Sequence, residues 1–414
     1  MRNLFILSIL TSLTFSSLLA SEKDSTLIKS KAPKVFIDCG RCDIDYIRTE
    51  ITFVNYVIDR KNADIHILVT RERTGSGGRE YTLTFLGQKT FADMTDTLTF
   101  VTQMDDTDDQ IRKKLVKSLK IGLMRYVAQT PIGDQISISY TQPEKAAEVR
   151  DKWNYWVFRT RLRSYLNGEK SYKYTSLSGR FSADRITENW KIKLSASSYY
   201  HEDNFTYGDE TISSYSRSHY LGGLIVKSIS EHWSVGLSTH TFSSTYSNRK
   251  IAVTINPAIE YNIYPYSEST RRELRLLYRI GPELNYYNEE TIYDKTKEKL
   301  LQEELSVELQ FKQPWGSVES EISGSHYFHD FEKNHLRIRS EISLRLFKGF
   351  SLEAWGGFSM IHDQLSLPQR DISREEILLQ RRELETQYNY WGSIGFSYTF
   401  GAIYNNIVNP LFGN

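Results

Sequence analysis

The sequence predicts a mostly-β chain: an antiparallel up-and-down transmembrane β-barrel of about twelve strands, preceded by a small α+β domain. Three observations predict it. From about Asn154 onward, apolar and polar residues alternate strictly in runs of roughly 10 to 16 residues, where an ordinary strand has about 5 to 6 and a tilted membrane-crossing strand needs about 9 to 11. Beyond residue 30 no apolar stretch approaches the length of a membrane helix, so any crossing must be made by strands. Aromatic residues make up 13% of the 414 residues, with 27 Tyr, the side chain whose apolar ring and polar tip suit a membrane interface.

Residues 1–20 read as a secretory signal peptide: Arg2, an apolar run from Leu4 to Leu19, and Ala20 before the polar Ser21-Glu22-Lys23-Asp24. Residues 21–34 read as a disordered, Lys-rich leader. Residues 35–130 read as a domain with the order β-α-β-β-β-α. Lys34 to Asp38 is its first strand. Asp45 to Asp59 carries Ile47, Ile51, Val54, Tyr56 and Ile58 at mostly helical spacing. Strands follow at Asp64 to Thr70, Arg79 to Gly87 and Asp96 to Val101, with Thr74 to Gly78 as a hairpin turn. The acidic stretch Asp105 to Asp109 suits a helix N-terminus, and Ile111, Leu115, Leu119, Leu123 and Val127 mark one face of the helix that ends before Pro131. Helices packed on one face of a small sheet follow from this order.

A linker spans 131–153, and the predicted barrel spans 154–400 with a periplasmic tail at 401–414. Twelve alternating runs start near Asn154, Ser171, Asn189, Ser213, His232, Lys250, Thr270, Lys299, Gly316, Asn334, Gly349 and Leu384. Their connections alternate in length after the first hairpin at Asn167-Gly168. Brief ones lie near Thr187, Ser230, Ser267, Pro314 and Gly349; longer ones lie near Glu202 to Glu210, Tyr246 to Arg249, Asn288 to Lys297, Phe328 to His335 and Ser366 to Arg382. Short periplasmic turns and long outer loops have this phase, with both chain ends in the periplasm and an even strand number.

The face opposite the apolar one carries charges of both signs. Arg159, Arg161, Arg163, Lys191, Lys193, Arg275, Arg279, Arg337, Arg339 and Arg345 are opposed by acids including Glu304, Glu308 and Glu341. They are candidates for the lumen lining, either as an anion-selecting wall or, the favoured reading, as an internal salt-bridge network in a narrow barrel. The ending Trp391-Gly392-Ser393-Ile394-Gly395-Phe396-Ser397-Tyr398-Thr399-Phe400 resembles the last strand of bacterial outer-membrane proteins, with fourteen residues following Phe400. That resemblance implies the outer membrane as location, its lipid as a partner, and the barrel-assembly machinery as the reader of the last strand. In element order, 35–130 is similar to the small α/β domains of periplasmic envelope proteins of the TolB N-terminal and CsgG kind; as part of a non-enzymatic envelope protein, it is expected to contact a periplasmic protein partner. A net charge of +1 gives no support for a nucleic-acid partner.

Two catalytic readings stand against a non-enzymatic envelope protein. Cys39-Gly40-Arg41-Cys42, the only two cysteines, lies between a strand and a helix, as a thiol-disulfide site would. The expected alternative is a local structural disulfide, or a free pair, in an oxidising compartment. Zinc would need two further ligands, and His66 is the only histidine in the domain, so neither metal nor cofactor is expected. A Ser-His hydrolase could use Ser325 with His326, or Ser359 with His362.

Overall fold

The computed structural model describes residues 31–140, 151–369, 383–404, 406 and 408; the signal-peptide and leader expectations for residues 1–30 lie outside these. The first domain is built on β1 (Lys34–Asp38), β2 (Asn55–Tyr56), β3 (Ile65–Arg73), β4 (Arg79–Gly87) and β5 (Thr95–Thr102). Its sheet order is β2-β1-β3-β4-β5, with β1 parallel to β2 and β3, and β3, β4 and β5 antiparallel. Two helices, α1 (Ile44–Glu50) and α2 (Asp108–Val127), cover it. Helix α2 starts at a capping box in which the Thr107 hydroxyl accepts from the Gln110 N–H and the Gln110 side chain answers to Thr107. Its apolar stripe buries Leu115, Leu119, Leu123 and Val127 against Ile65, Ile67, Leu83 and Phe85.

The helix expected over Asp45 to Asp59 is shorter than its spacing suggests. It stops at Glu50 because Asn55 and Tyr56 leave it to pair in parallel with β1, and the Tyr56 hydroxyl donates to the carbonyl of Ile51 at 2.9 Å. A short strand thus interrupts the predicted order. Burial also reaches back into the expected leader, since Ala32 is buried and its carbonyl accepts from Asn55 Nδ2. In α2, Gly122 faces the Phe85 ring; a Cβ there would stand 2.1 Å from Phe85 Cζ. Phe85 is fully buried beside Tyr126, so the ring has little room to yield. Gly122→Ala is therefore expected to cost the domain about 1–3 kcal/mol, measured as a lowered midpoint of denaturant unfolding followed on this domain.

The rest of the chain is one antiparallel meander of twelve strands: β6 (Trp156–Gly168), β7 (Tyr172–Ile186), β8 (Trp190–Tyr207), β9 (Glu210–Ser228), β10 (Trp233–Ser244), β11 (Arg249–Asn262), β12 (Arg272–Tyr287), β13 (Lys297–Gln313), β14 (Gly316–Tyr327), β15 (Asp330–Phe347), β16 (Phe350–Ile361) and β17 (Tyr388–Tyr398). Each predicted run is a strand, and each pairs with its sequence neighbours. The bounds differ by up to a few residues, because hairpins such as β14–β15 continue pairing past the apolar band to Tyr327 and Asp330. The expected closure is not complete: among the described residues β6 and β17 pair with no strand on their outer edges. Both edges leave backbone groups for water to satisfy. In hydrocarbon each unpaired group would cost several kcal/mol.

Register fixes the two faces. One carries Phe158, Leu162, Phe181, Leu194, Leu221, Ile225, Leu237, Ile255, Leu305, Ile322 and Ile394, all exposed. Soluble proteins rarely expose so continuous an apolar surface. The other face lines the cavity described next.

Candidate functional site: a charged chamber with both mouths covered

Inward side chains of β8–β14, with Glu72 of β3, Ile186 of β7 and Asp363, line a half-open chamber of about 1230 Å³. Lys191, Lys193, Arg275, Arg279 and Glu304 line it directly. Ladder pairing places Arg159, Arg161 and Arg163 on the same face through Arg159↔Ser182, Arg161↔Arg180 and Arg163↔Ser178. It places Glu308, Arg337, Arg339 and Glu341 there through Arg275↔Glu308, Glu321↔Arg339, Ser323↔Arg337 and Glu319↔Glu341. Within the chamber Arg275 contacts Glu273 at 3.4 Å, Glu260 at 3.8 Å and Glu308, while Arg279 pairs with Glu304. Arg249 lies 3.7 Å from Glu283, which also accepts from the Tyr327 hydroxyl. A set of ion pairs thus joins these side chains on this wall. It does not extend to Arg161, Arg163, Arg337 or Arg339, which have no ion-pair partner among the described residues.

The α+β domain sits on the short-turn mouth. Asp38, the last residue of β1, accepts two hydrogen bonds from Arg345 near the end of β15, at 2.6 and 2.7 Å. Asp59 accepts from the Gly349 N–H in the β15–β16 turn at 2.6 Å. At the tip of the β3–β4 hairpin, Gly75 lies against Ile186 and Met104 accepts from Arg159 Nε at 3.1 Å. Glu72 faces Lys312 at 4.0 Å and borders the chamber. The tail clasps the same domain: Ile58 N–H donates to the Ile403 carbonyl, Val57 bridges Tyr404, and Asn406 bonds to Tyr56 and Asn55.

Burial pushes the Asp38 carboxyl up, but His66 and Arg345 outweigh it and hold the group below the usual aspartate range. A depressed carboxylate contributes to docking above its free value and loses that contribution as pH falls through the lower, docked value. The domain is therefore expected to stay seated from neutral pH down to about pH 4 and to leave only below it, as read by amide exchange at Gly349.

The long-loop mouth is covered from inside the chain. After β16, residues 362–369 cross toward the β10–β11 and β12–β13 loops. Asn248 Nδ2 donates to the Ser366 carbonyl at 2.9 Å, and Ile292 N–H to the Leu367 carbonyl at 2.9 Å. Glu383 N–H returns to the Tyr246 carbonyl. Leu365 is buried with Leu300 and Tyr327, and Leu367 is buried nearby. Sequence reading expected a loop over Ser366 to Arg382 and missed this crossing; 370–382 lie outside the described residues.

Cys39 and Cys42 are joined as a disulfide, with Cα atoms 5.7 Å apart, directly after Asp38. Ser325 and His326 are neighbours on one strand and so face opposite sides of the sheet; His326 instead meets Glu303 at 2.7 Å. His362 is held by Asn334. His335, on the inner face, contacts Asp363 at 3.2 Å, and its Nε2 has no partner among the described residues. No cluster of metal-ligating residues occurs among the described residues.

No family model and no curated protein matches this chain. Among solved structures it is similar to CdiB from Acinetobacter baumannii, at 8% identity and a TM-score of 0.28, with 89% of this chain and 74% of that chain covered.

Proposed function

We propose that this chain is a non-enzymatic β-barrel of the bacterial outer membrane, a narrow passage for small charged solutes that is shut at rest. The α+β domain lies in the periplasm, closes the near mouth and is moved by a periplasmic protein partner. Residues 362–369 close the outer mouth. The single observation that carries this reading is a charged chamber walled by strands with an apolar outer face and covered at both ends by separate parts of the same chain.

Several features support it. Strands of 11 to 19 residues exceed what a tilted crossing needs. Among the described residues, the domain meets the barrel through polar pairs such as Asp38–Arg345 and Asp59–Gly349 and through a hairpin tip, which suits a contact that is made and broken. Closure of the β6–β17 seam follows from the cost of bare strand edges in lipid, and an even strand number makes that pairing antiparallel. The folding machinery and lipid are then the obligatory partners.

Planar-bilayer conductance tests the passage. The folded full chain is expected to give no stable steps. A variant with both covers released, Arg345→Leu with Leu367→Asp, is expected to give them. Equal conductance from the full chain would remove the covers from the account, and silence from a folded, heat-modifiable double variant would remove the passage.

A further inference from the structure

Charge is unevenly placed around the inner face. On β6–β8 the inward cations are Arg159, Arg161, Arg163, Arg180, Lys191 and Lys193, against the carboxylates Asp184 and Asp203. Asp203 is occupied by the Tyr172 hydroxyl at 2.7 Å. Across the chamber, on β12 and β13, Arg275 and Arg279 are already neutralised by glutamates.

Arg161 and Arg180 stand directly opposite each other on the β6–β7 ladder, and Arg163 follows on the same face. All three are exposed, and none has an ion-pair partner among the described residues. Arg180 donates only to the neutral Tyr199 hydroxyl, at 2.8 Å. Like charges directly opposed across a ladder destabilise it. Closing the seam would not relieve them, because the inward residues of β17 are Asn389, Trp391, Ser393, Gly395 and Ser397. Three guanidinium forks on the inward face beside the chamber, with no carboxylate partner among the described residues, have the geometry for bidentate recognition of oxyanions.

We propose that Arg161, Arg163 and Arg180 form a binding site for a small solute carrying a phosphate or carboxylate group. The site rests on the gated-passage reading for its setting in the lumen, and it names the solute class that passage would admit.

Calorimetric titration of the folded full chain in detergent and low salt tests it, with pyrophosphate and citrate as separate probes of the two anion chemistries. Saturable binding of at least one probe is expected, weakened about tenfold for each guanidinium removed in the series R161Q, R163Q and R180Q. R337Q/R339Q, on another part of the same face, is expected to bind as the parent does. R161Q is also expected to raise the unfolding temperature in anion-poor buffer by relieving the opposed pair, and to shrink the upshift that the probe gives the parent. Absence of saturable binding, binding unchanged in R161Q/R163Q/R180Q, or equal loss in R337Q/R339Q would each overturn the site. Binding without conductance in the doubly released variant would keep the site and sink the passage; conductance without binding would do the reverse.

Discussion

Arg345→Leu is expected to release the α+β domain from the barrel. The substitution removes both hydrogen bonds to Asp38, whose side chain is 14% exposed, and leaves its carboxylate with His66, 3.4 Å away, as its remaining partner. Removing one partner of this part-buried pair, in which Arg345 is 32% exposed, costs about 2–3 kcal/mol, less than for a fully buried pair. That is enough to shift a tethered domain from mostly seated to mostly free. The Gly349 N–H, which donates to Asp59 across the domain–barrel contact, and the Ile58 N–H, which donates to Ile403 of the tail, report it. Their hydrogen exchange is expected to accelerate by about one to two orders of magnitude, while amides inside α2 keep their protection. Unchanged exchange at Gly349 would mean that the pair decorates a contact held by something else.

Leu367→Asp is expected to lift the cover from the outer mouth. Leu367 is 6% exposed, and its carbonyl is already used by Ile292. The substitution removes the apolar contact and puts a carboxylate at a buried position. Loss of a buried leucine alone costs about 2–5 kcal/mol, and the crossing has few other apolar anchors besides Leu365. Exchange at Ile292 N–H is the readout, with loss of about a hundredfold or more in protection expected. Protection at β13 amides such as Val307 is expected to persist, which separates an open cover from an unfolded barrel.

The barrel strands were legible because the signal is local and repeated: a period of two sustained over lengths no soluble strand needs. Helix α2 was legible for the same reason at its own period. The start of helix α1 was legible too, but its end was not, since Asn55 and Tyr56 are claimed by pairing with β1 rather than by any breaker in the sequence. The inner-face charges could be placed on a side but not paired. Arg275 finds Glu308 and Arg279 finds Glu304 only through the β12–β13 register, which alternation alone leaves free to slip. The two covers were beyond reach for another reason. Asp38 and Arg345 are 307 residues apart, and the crossing at 362–369 is held by backbone groups that every loop possesses. His326 shows the limit from the other side: adjacency to Ser325 in sequence suggested a pair that strand geometry forbids.

Fluorescence quenching by brominated lipid tests the central claim, that this sheet meets lipid with one face and encloses a chamber with the other. Trp233 and Trp355 are alike in exposure, 44% and 52%, yet register puts Trp233 on the apolar face and Trp355 on the charged one, tilted against Trp391 at 45°. In single-tryptophan variants folded into vesicles, Trp233 is expected to be quenched strongly by bromines on the acyl chains and Trp355 to be spared. Equal quenching of the two, or quenching of Trp355 alone, would contradict the membrane-barrel account.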